Sequence, residues 1–271
     1  MHELPPSKAV TVVQLTDPHL FAAASARLLN VPTTISLEGV IEHIVARQAR
    51  IDLLLATGDI TQDGSAQAHR RFLEMAARVP APLRGLPGNH DTGATFGEIW
   101  GESAEPVTDI GNWRIISLDS RIAGSNAGRL GENQFDLLRK AAEAAEDRHV
   151  MIALHHNPVP CGSEWLDTMM LADAAAFFEV LRRFPRVRAV LWGHVHQEFD
   201  RIVHISPNHG LRLLATPSTS VQFAPSSKEF KLDTAPPGYR RLLLHANGEL
   251  ETEVVRVPGL GLEPESSSKG Y

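Results

Sequence analysis

One cysteine, Cys161, stands alone in 271 residues. The chain can therefore form no internal disulfide and no thiolate metal cage. It has no apolar run near the ~20 residues that span a bilayer. Met1 to Lys8 holds two prolines and no apolar stretch, so no export signal is expected and the cytoplasm is the expected location. Positive charge is also lacking. A formal net charge of −6 offers no nucleic-acid surface. An acidic chain acting on an acidic substrate needs a local positive field, which bound metal ions can supply. No internal repeat or interdomain linker breaks the sequence. One domain is expected over residues 1–258, followed by a flexible tail over 259–271 where Gly, Pro and Ser dominate.

Histidine, by contrast, is plentiful: 13 residues make imidazole the available nitrogen ligand. Five short apolar runs each end in oxygen or nitrogen donors. Val10 to Leu15 runs into Asp17-Pro18-His19, and Leu53 to Ala56 into Gly58-Asp59. Pro82 to Leu86 runs into Pro87-Gly88-Asn89-His90-Asp91. Val150 to Leu154 runs into His155-His156-Asn157-Pro158, and Val187 to Trp192 into Gly193-His194-Val195-His196. Near-continuous apolar runs of this length are expected for buried strands. Ligands of open α/β sheets sit beyond the carboxyl ends of their strands. One convergent site is therefore expected. A lone D-x-H or G-D is an ordinary capped turn; the set of five is what carries the reading.

Between these runs the periodicity is helical. Ser36 is expected to cap a helix with Val40, Ile41, Ile44 and Val45 on one face. Ala68, Phe72, Met75, Ala76 and Val79 mark a second helix, Glu132 to Ala145 a third and Ala172 to Phe184 a fourth. The first half reads βαβαβ, which favours a parallel sheet. After His196 the pattern turns antiparallel, and Asn247-Gly248 signals a hairpin. His155 and His156 are adjacent, so in a strand their rings would point to opposite faces. One is then a ligand candidate and the other a core histidine or one that supports a ligand, with His155 preferred. Asp63, His69, Asp91 and Asp119 read better as structural, Asp91 by fixing a ligand ring.

The five motifs resemble those of the calcineurin-like metallophosphoesterases. Phe21, Gly58-Asp59-x-x-Gln62-Asp63, Leu118-Asp119-Ser120, Ser163-Glu164-Trp165-Leu166-Asp167, Ala215 to Phe223 and Leu232-Asp233-Thr234 further resemble the bacterial class III cyclic-AMP phosphodiesterases. The resemblance implies a four-layer αββα sandwich, two mixed β-sheets flanked by helices. It implies a dinuclear centre with Asp17, His19, Asp59 and His196 at one metal. Asp59, Asn89, His155 and His194 would hold the other, with Asp59 bridging. Iron, manganese or both are the family's usual ions; mixed carboxylate, amide and imidazole donors also suit zinc or cobalt. The implied reaction is hydrolysis of 3′,5′-cyclic AMP to 5′-AMP. His90, absent from the ligand set, is the implied catalytic residue, free to protonate the leaving oxygen or to bind a phosphate oxygen, and His19, Asp59, Asn89, His90 and His196 border the substrate. Trp165, Phe21 and Phe223 are candidates to border the nucleobase. The partner is thus a small cyclic nucleotide, with no nucleic acid, no membrane and the oligomeric state open, a dimer included. Two alternatives remain: a broader phosphodiesterase or phosphatase acting on 2′,3′-cyclic nucleotides or glycerophosphodiesters, and a non-catalytic scaffold.

Overall fold

A computed structural model describes residues 9–265 and 267–270. Met1 to Lys8, read above as lacking an export signal, lies outside the described residues, as do Ser266 and Tyr271 of the expected tail. The strands are β1 Val10–Leu15, β2 Arg27–Leu28, β3 Val31–Pro32, β4 Leu53–Thr57, β5 Leu83–Leu86, β6 Val107–Ile110, β7 Trp113–Ser117 and β8 His149–Ala153. They continue with β9 Val187–Trp192, β10 Phe199–Ser206, β11 His209–Ala215, β12 Gln222–Phe223, β13 Leu232–Asp233, β14 Gly238–Leu244 and β15 Leu250–Arg256. The helices are α1 Thr33–Arg47, α2 Ala66–Ala76, α3 Gly93–Trp100, α4 Gly131–Glu143, α5 Glu164–Asp167 and α6 Ala174–Leu181.

Two mixed sheets carry the site. The first has the order β15-β14-β1-β4-β5, the second β10-β11-β9-β8-β7-β6. β1, β4 and β5 run parallel, as the βαβαβ reading expects, and β14 closes on β1 antiparallel. In the second sheet β7, β8, β9 and β11 are parallel. The antiparallel expectation after His196 therefore holds for β10 with β11 and for β14 with β15, but not for β11 with β9.

Strand alternation explains why these segments read as unbroken apolar runs. Val10 and Val12 of β1 face the core between the sheets, whereas Val13 and Leu15 face the helices. In β8, Met151 and Ala153 face the other sheet while Val150 and Ile152 face helices. β1 and β8 are thus buried on both faces. α1, α2 and α3 cover the first sheet through Leu37, Ile41, Phe72, Phe96 and Trp100. α4, α5 and α6 cover the second through Phe135, Leu138, Leu166 and Phe177. The result is the helix–sheet–sheet–helix layering. No helix among the described residues is long and apolar enough to cross a membrane.

Two expectations for the first helix are corrected. α1 begins at Thr33, so Ser36 lies inside it and donates its hydroxyl to Thr219 O (2.6 Å) instead of capping. Val45 is 48% exposed, off the buried face set by Leu37, Val40, Ile41 and Ile44. α3 has no counterpart in the sequence reading, because Gly93 and Gly97 mask its pattern. The segment expected as a flexible tail makes contacts: Glu265 N donates to Leu29 O (2.9 Å), and Asn30 Nδ2 donates to Glu263 O (3.0 Å). Leu260 packs into the core under α1.

Leu55 is fully buried between the sheets. Leu55→Ala is expected to cost about 2–5 kcal/mol of stability, through lost transfer energy and a residual cavity. Urea denaturation at matched metal content measures it.

Candidate metal centre

The two sheets bring their loaded strand tips to one edge. β1, β4 and β5 contribute from the first sheet, and β8 and β9 from the second. The backbone there is held in an uncommon conformation. Among the described residues, nine non-glycine residues have positive φ, and five of them are Asp17, His19, Asp59, His194 and His196. Left-handed backbone at non-glycine positions is costly and clusters where function demands it. Two glycines make the close approach possible. A Cβ on Gly193 would lie 2.0 Å from Thr16 Oγ1, and one on Gly58 (φ +94°) 2.4 Å from His155 Nδ1.

The hydrogen bonds fix which nitrogen of each ring faces the centre. His19 Nδ1 is 2.7 Å from Gln62 Oε1, His155 Nδ1 is 2.8 Å from Thr57 O, and His196 Nδ1 is 2.9 Å from Val221 O. Each Nδ1–H donates to an oxygen, so each Nε2 presents a lone pair inward. Those lone pairs meet other acceptors. His19 Nε2 and His196 Nε2 are 3.1 Å apart. His155 Nε2 is 3.1 Å from Asn89 Oδ1 and 3.2 Å from Asp59 Oδ2. His196 Nε2 is 3.3 Å from Asp17 Oδ1. His194 Nε2 is buried with no hydrogen-bond partner. So many acceptors in a buried space require positive charge among them, from a bound cation or from a protonated ring.

The titration tendencies follow the same geometry. Burial opposes ionisation of Asp17 and Asp59, but the surrounding imidazoles outweigh it and hold both carboxyls below their usual range: His196 for Asp17, His155 and His90 for Asp59. Burial pushes His19 down to about 3 despite the pull of Asp59. It also pushes His194 well below the usual range. His155 moves the other way, to about 9: burial opposes its charge, and contact with Asp59 overcomes that.

All seven expected ligand residues lie at this edge. Three-donor groups with every donor atom within 4.8 Å form from Asp17, His19 and His196, and from Asp17, Asp59 and His155. Others form from His19, Asp59 and His90, and from His155, His156 and His194. The residues fit bound cations well, and Asp59 stands in two of the groups. The expected opposition of His155 and His156 is not observed. The chain bends after Ala153, and both rings are buried with centroids 5.0 Å apart. His156 binds Ser120 Oγ through Nδ1 (2.8 Å), a partner the sequence did not suggest. Gln62 was visible as part of a motif, but not as the support of His19. His90 is half-buried; its backbone N–H donates to Asp59 Oδ1 (2.9 Å), and its ring stands edge-on to His19, centroids 5.1 Å apart. Trp165 and Phe223 line the adjoining cavity. Phe21 instead packs against Leu28, Val31 and Val221.

Asp91, expected to fix a ligand ring, does not; the ring beside it is His69 (3.6 Å). Its carboxylate accepts from Ile60 N, Thr61 N and Gly88 N at 2.9–3.1 Å. It clips the loop carrying Asp59 to the loop carrying Asn89.

Such a cluster of carboxylate, amide and imidazole donors, at the strand tips of a two-sheet sandwich, defines a metal-dependent hydrolase centre. Residues 10–198 match the model of the calcineurin-like phosphoesterase family. The chain belongs to that family, which implies a dinuclear metal site. It is 47% identical over 268 residues to the 3′,5′-cyclic adenosine monophosphate phosphodiesterase CpdA of Pseudomonas aeruginosa, covering 97% of this chain and 96% of that one. It is 42% identical to the CpdA of Escherichia coli K12 (97% and 95% covered). It is 34% identical to a 3′,5′-cyclic-nucleotide phosphodiesterase of Nostoc (94% and 96%). Among solved structures, the fold matches a dimetal phosphatase from Danio rerio at TM-score 0.65 and 14% identity, covering 93% of this chain and 100% of that one. It also matches purple acid phosphatase PPD1 of yellow lupin at TM-score 0.69 and 15% identity (95% and 53%).

Asp91→Ala strands three backbone N–H groups. It is expected to cost about 3 kcal/mol or more of stability, since each buried unsatisfied donor costs about 1–3 kcal/mol. Urea denaturation measures this; a loss under about 1 kcal/mol would show that Asp91 does not hold the two loops together.

Proposed function

We propose that this chain hydrolyses 3′,5′-cyclic AMP to 5′-AMP in the cytoplasm and so lowers cellular cyclic AMP. The observation that carries the reading is the match to CpdA phosphodiesterases across nearly the whole of both chains, with the six His and Asp donors clustered at one edge and Asn89 Oδ1 3.1 Å from His155 beside them. In this reading Asp17, His19, Asp59 and His196 hold one ion, and Asp59, Asn89, His155 and His194 hold the other. Iron or manganese are the ions proposed. When bound, such a pair supplies a strong nucleophile from water at neutral pH and neutralises charge on the phosphate.

The chain's own residues do the rest. Gln62, Thr57 O and Val221 O hold three imidazoles in one tautomer, so their Nε2 atoms stay available. Asp59 is locked by the His90 N–H, which ties its carboxylate to the loop bearing Asn89. His90 borders the cavity and protonates the departing 3′ oxygen of the ribose, which would otherwise leave as a strongly basic alkoxide.

The deciding assay compares cyclic AMP with cyclic GMP, 2′,3′-cyclic AMP and bis-p-nitrophenyl phosphate. Cyclic AMP is expected to be turned over with 5′-AMP as product, and chelation to abolish turnover. Release of 3′-AMP, or preference for 2′,3′-cyclic AMP, would replace this reading with a broader phosphodiesterase.

His90 separates two roles. His90→Ala is expected to slow cyclic AMP hydrolysis by about 10²–10⁴, as loss of a general acid does. Bis-p-nitrophenyl phosphate should lose far less, because nitrophenolate departs unprotonated. Equal losses at equal metal content would leave His90 as a phosphate contact only. For the ions, Asp59→Ala should lower occupancy of both sites and Asn89→Ala mainly one, read by elemental analysis. Intact occupancy in Asp59→Ala would reject the bridge.

A further inference from the structure

The cavity beside His90 and His194 measures about 420 Å³ and extends well past the metal donors. Its far wall is aromatic. Trp165 stands edge-on to Phe223 (centroids 5.0 Å) and to Phe230 (5.2 Å), and Phe223 and Phe230 are 5.7 Å apart. Phe223 also stacks flat on the His196 ring, at 4.2 Å and 12°. The wall is therefore continuous with the donor cluster. Its backbone is tied down: Gln197 Nε2 donates to Ser163 Oγ (3.1 Å) and Ala224 O (3.3 Å), and Glu164 N donates to Ser227 O (3.0 Å).

Asn126 lines the same cavity. Its side-chain amide makes no hydrogen bond among the described residues, yet the loop beneath it is pinned. Ala127 N donates to Ser125 Oγ (3.0 Å), Gly128 N to Met170 O (3.2 Å), and Ala172 N to Gly128 O (2.7 Å). Gly128 lies so close to His156 that a Cβ there would be 2.4 Å from the ring. A fixed backbone thus presents a solvent-exposed amide at a cavity with an aromatic wall. A purine needs that combination: a face to stack and an edge to hydrogen-bond.

We propose that this half of the cavity is the nucleobase subsite and that Asn126 reads adenine. Its Oδ1 accepts from the exocyclic amine while Nδ2 donates to the neighbouring ring nitrogen, the pairing that amides make with adenine. Trp165, Phe223 and Phe230 supply the apolar wall. The proposal rests on the cyclic-nucleotide reading above.

The test uses metal-loaded protein and two substrates differing by one group: cyclic AMP and purine riboside 3′,5′-cyclic phosphate, which lacks the amine. Wild type should favour cyclic AMP by about tenfold in kcat/KM, the value of one good hydrogen bond. Asn126→Ala should bring that ratio to about one, whereas Phe230→Leu should raise KM for both purines and leave the ratio intact. An unchanged ratio in Asn126→Ala, or no wild-type preference, overturns the assignment. Bis-p-nitrophenyl phosphate is run on wild type as well. If it is hydrolysed and neither cyclic nucleotide is, the cyclic-nucleotide reading fails and the subsite with it. If the nucleotides are hydrolysed and the ratio does not move, only the subsite fails.

Discussion

Two imidazole lone pairs facing each other across 3.1 Å, His19 Nε2 and His196 Nε2, set the terms for the rest of the molecule. Each is forced inward by an oxygen on its far nitrogen, Gln62 Oε1 and Val221 O. The carboxylates of Asp17 and Asp59 approach the same space and add negative charge to it. Bound cations, displacing the proton that His155 otherwise takes up, supply the positive charge that such a buried site needs. The protein must hold it together before that charge arrives. The left-handed backbone at five donor residues and the missing Cβ atoms of Gly58 and Gly193 are local costs of doing so. Two sheets with a shared apolar core offset them, since strands buried on both faces cannot slide without exposing one.

The reinforcement is mostly backbone N–H groups donating to buried carboxylates. Asp91 binds three N–H groups from two loops, and Asp17 receives His194 N on both carboxylate oxygens at 3.1 Å, joining the first sheet to the second. Thr16 Oγ1 adds a 2.6 Å bond to the same carboxylate. The catalytic edge is thereby one hydrogen-bonded unit across two sheets, and the aromatic wall extends it through Phe223 on His196.

Much of this was legible in the sequence because strand tips are short and their donors are chemically distinctive. Asp17, His19, Asp59, Asn89, His155, His194 and His196 each follow a short, mainly apolar run of the kind expected for a strand. The supports were less visible. Thr57 O and Val221 O act through backbone, which leaves no residue-type signal, and Gln62 is an unremarkable amide until His19 is placed against it. The opposed faces expected of His155 and His156 do not hold because the chain bends after Ala153, so strand alternation no longer applies, although His156 is buried against Ser120 as a core or supporting histidine would be. Ser36 looked like a cap, but its partner, Thr219 O, lies 183 residues away and is brought near only by the fold. Asn126 sits in a glycine-flanked loop whose nearness to Trp165 and Phe230 is likewise tertiary.

The claim that the crowded acceptors are organised by two shared cations is open to direct observation. Crystals of the metal-loaded protein, measured at the absorption edges of iron and manganese, yield anomalous difference maps that locate each ion. Two peaks are expected, both in coordinating contact with Asp59. One should lie beside His19 and His196, the other beside Asn89, His155 and His194. A single peak, or two peaks of which only one touches Asp59, in crystals grown from fully active protein would contradict it.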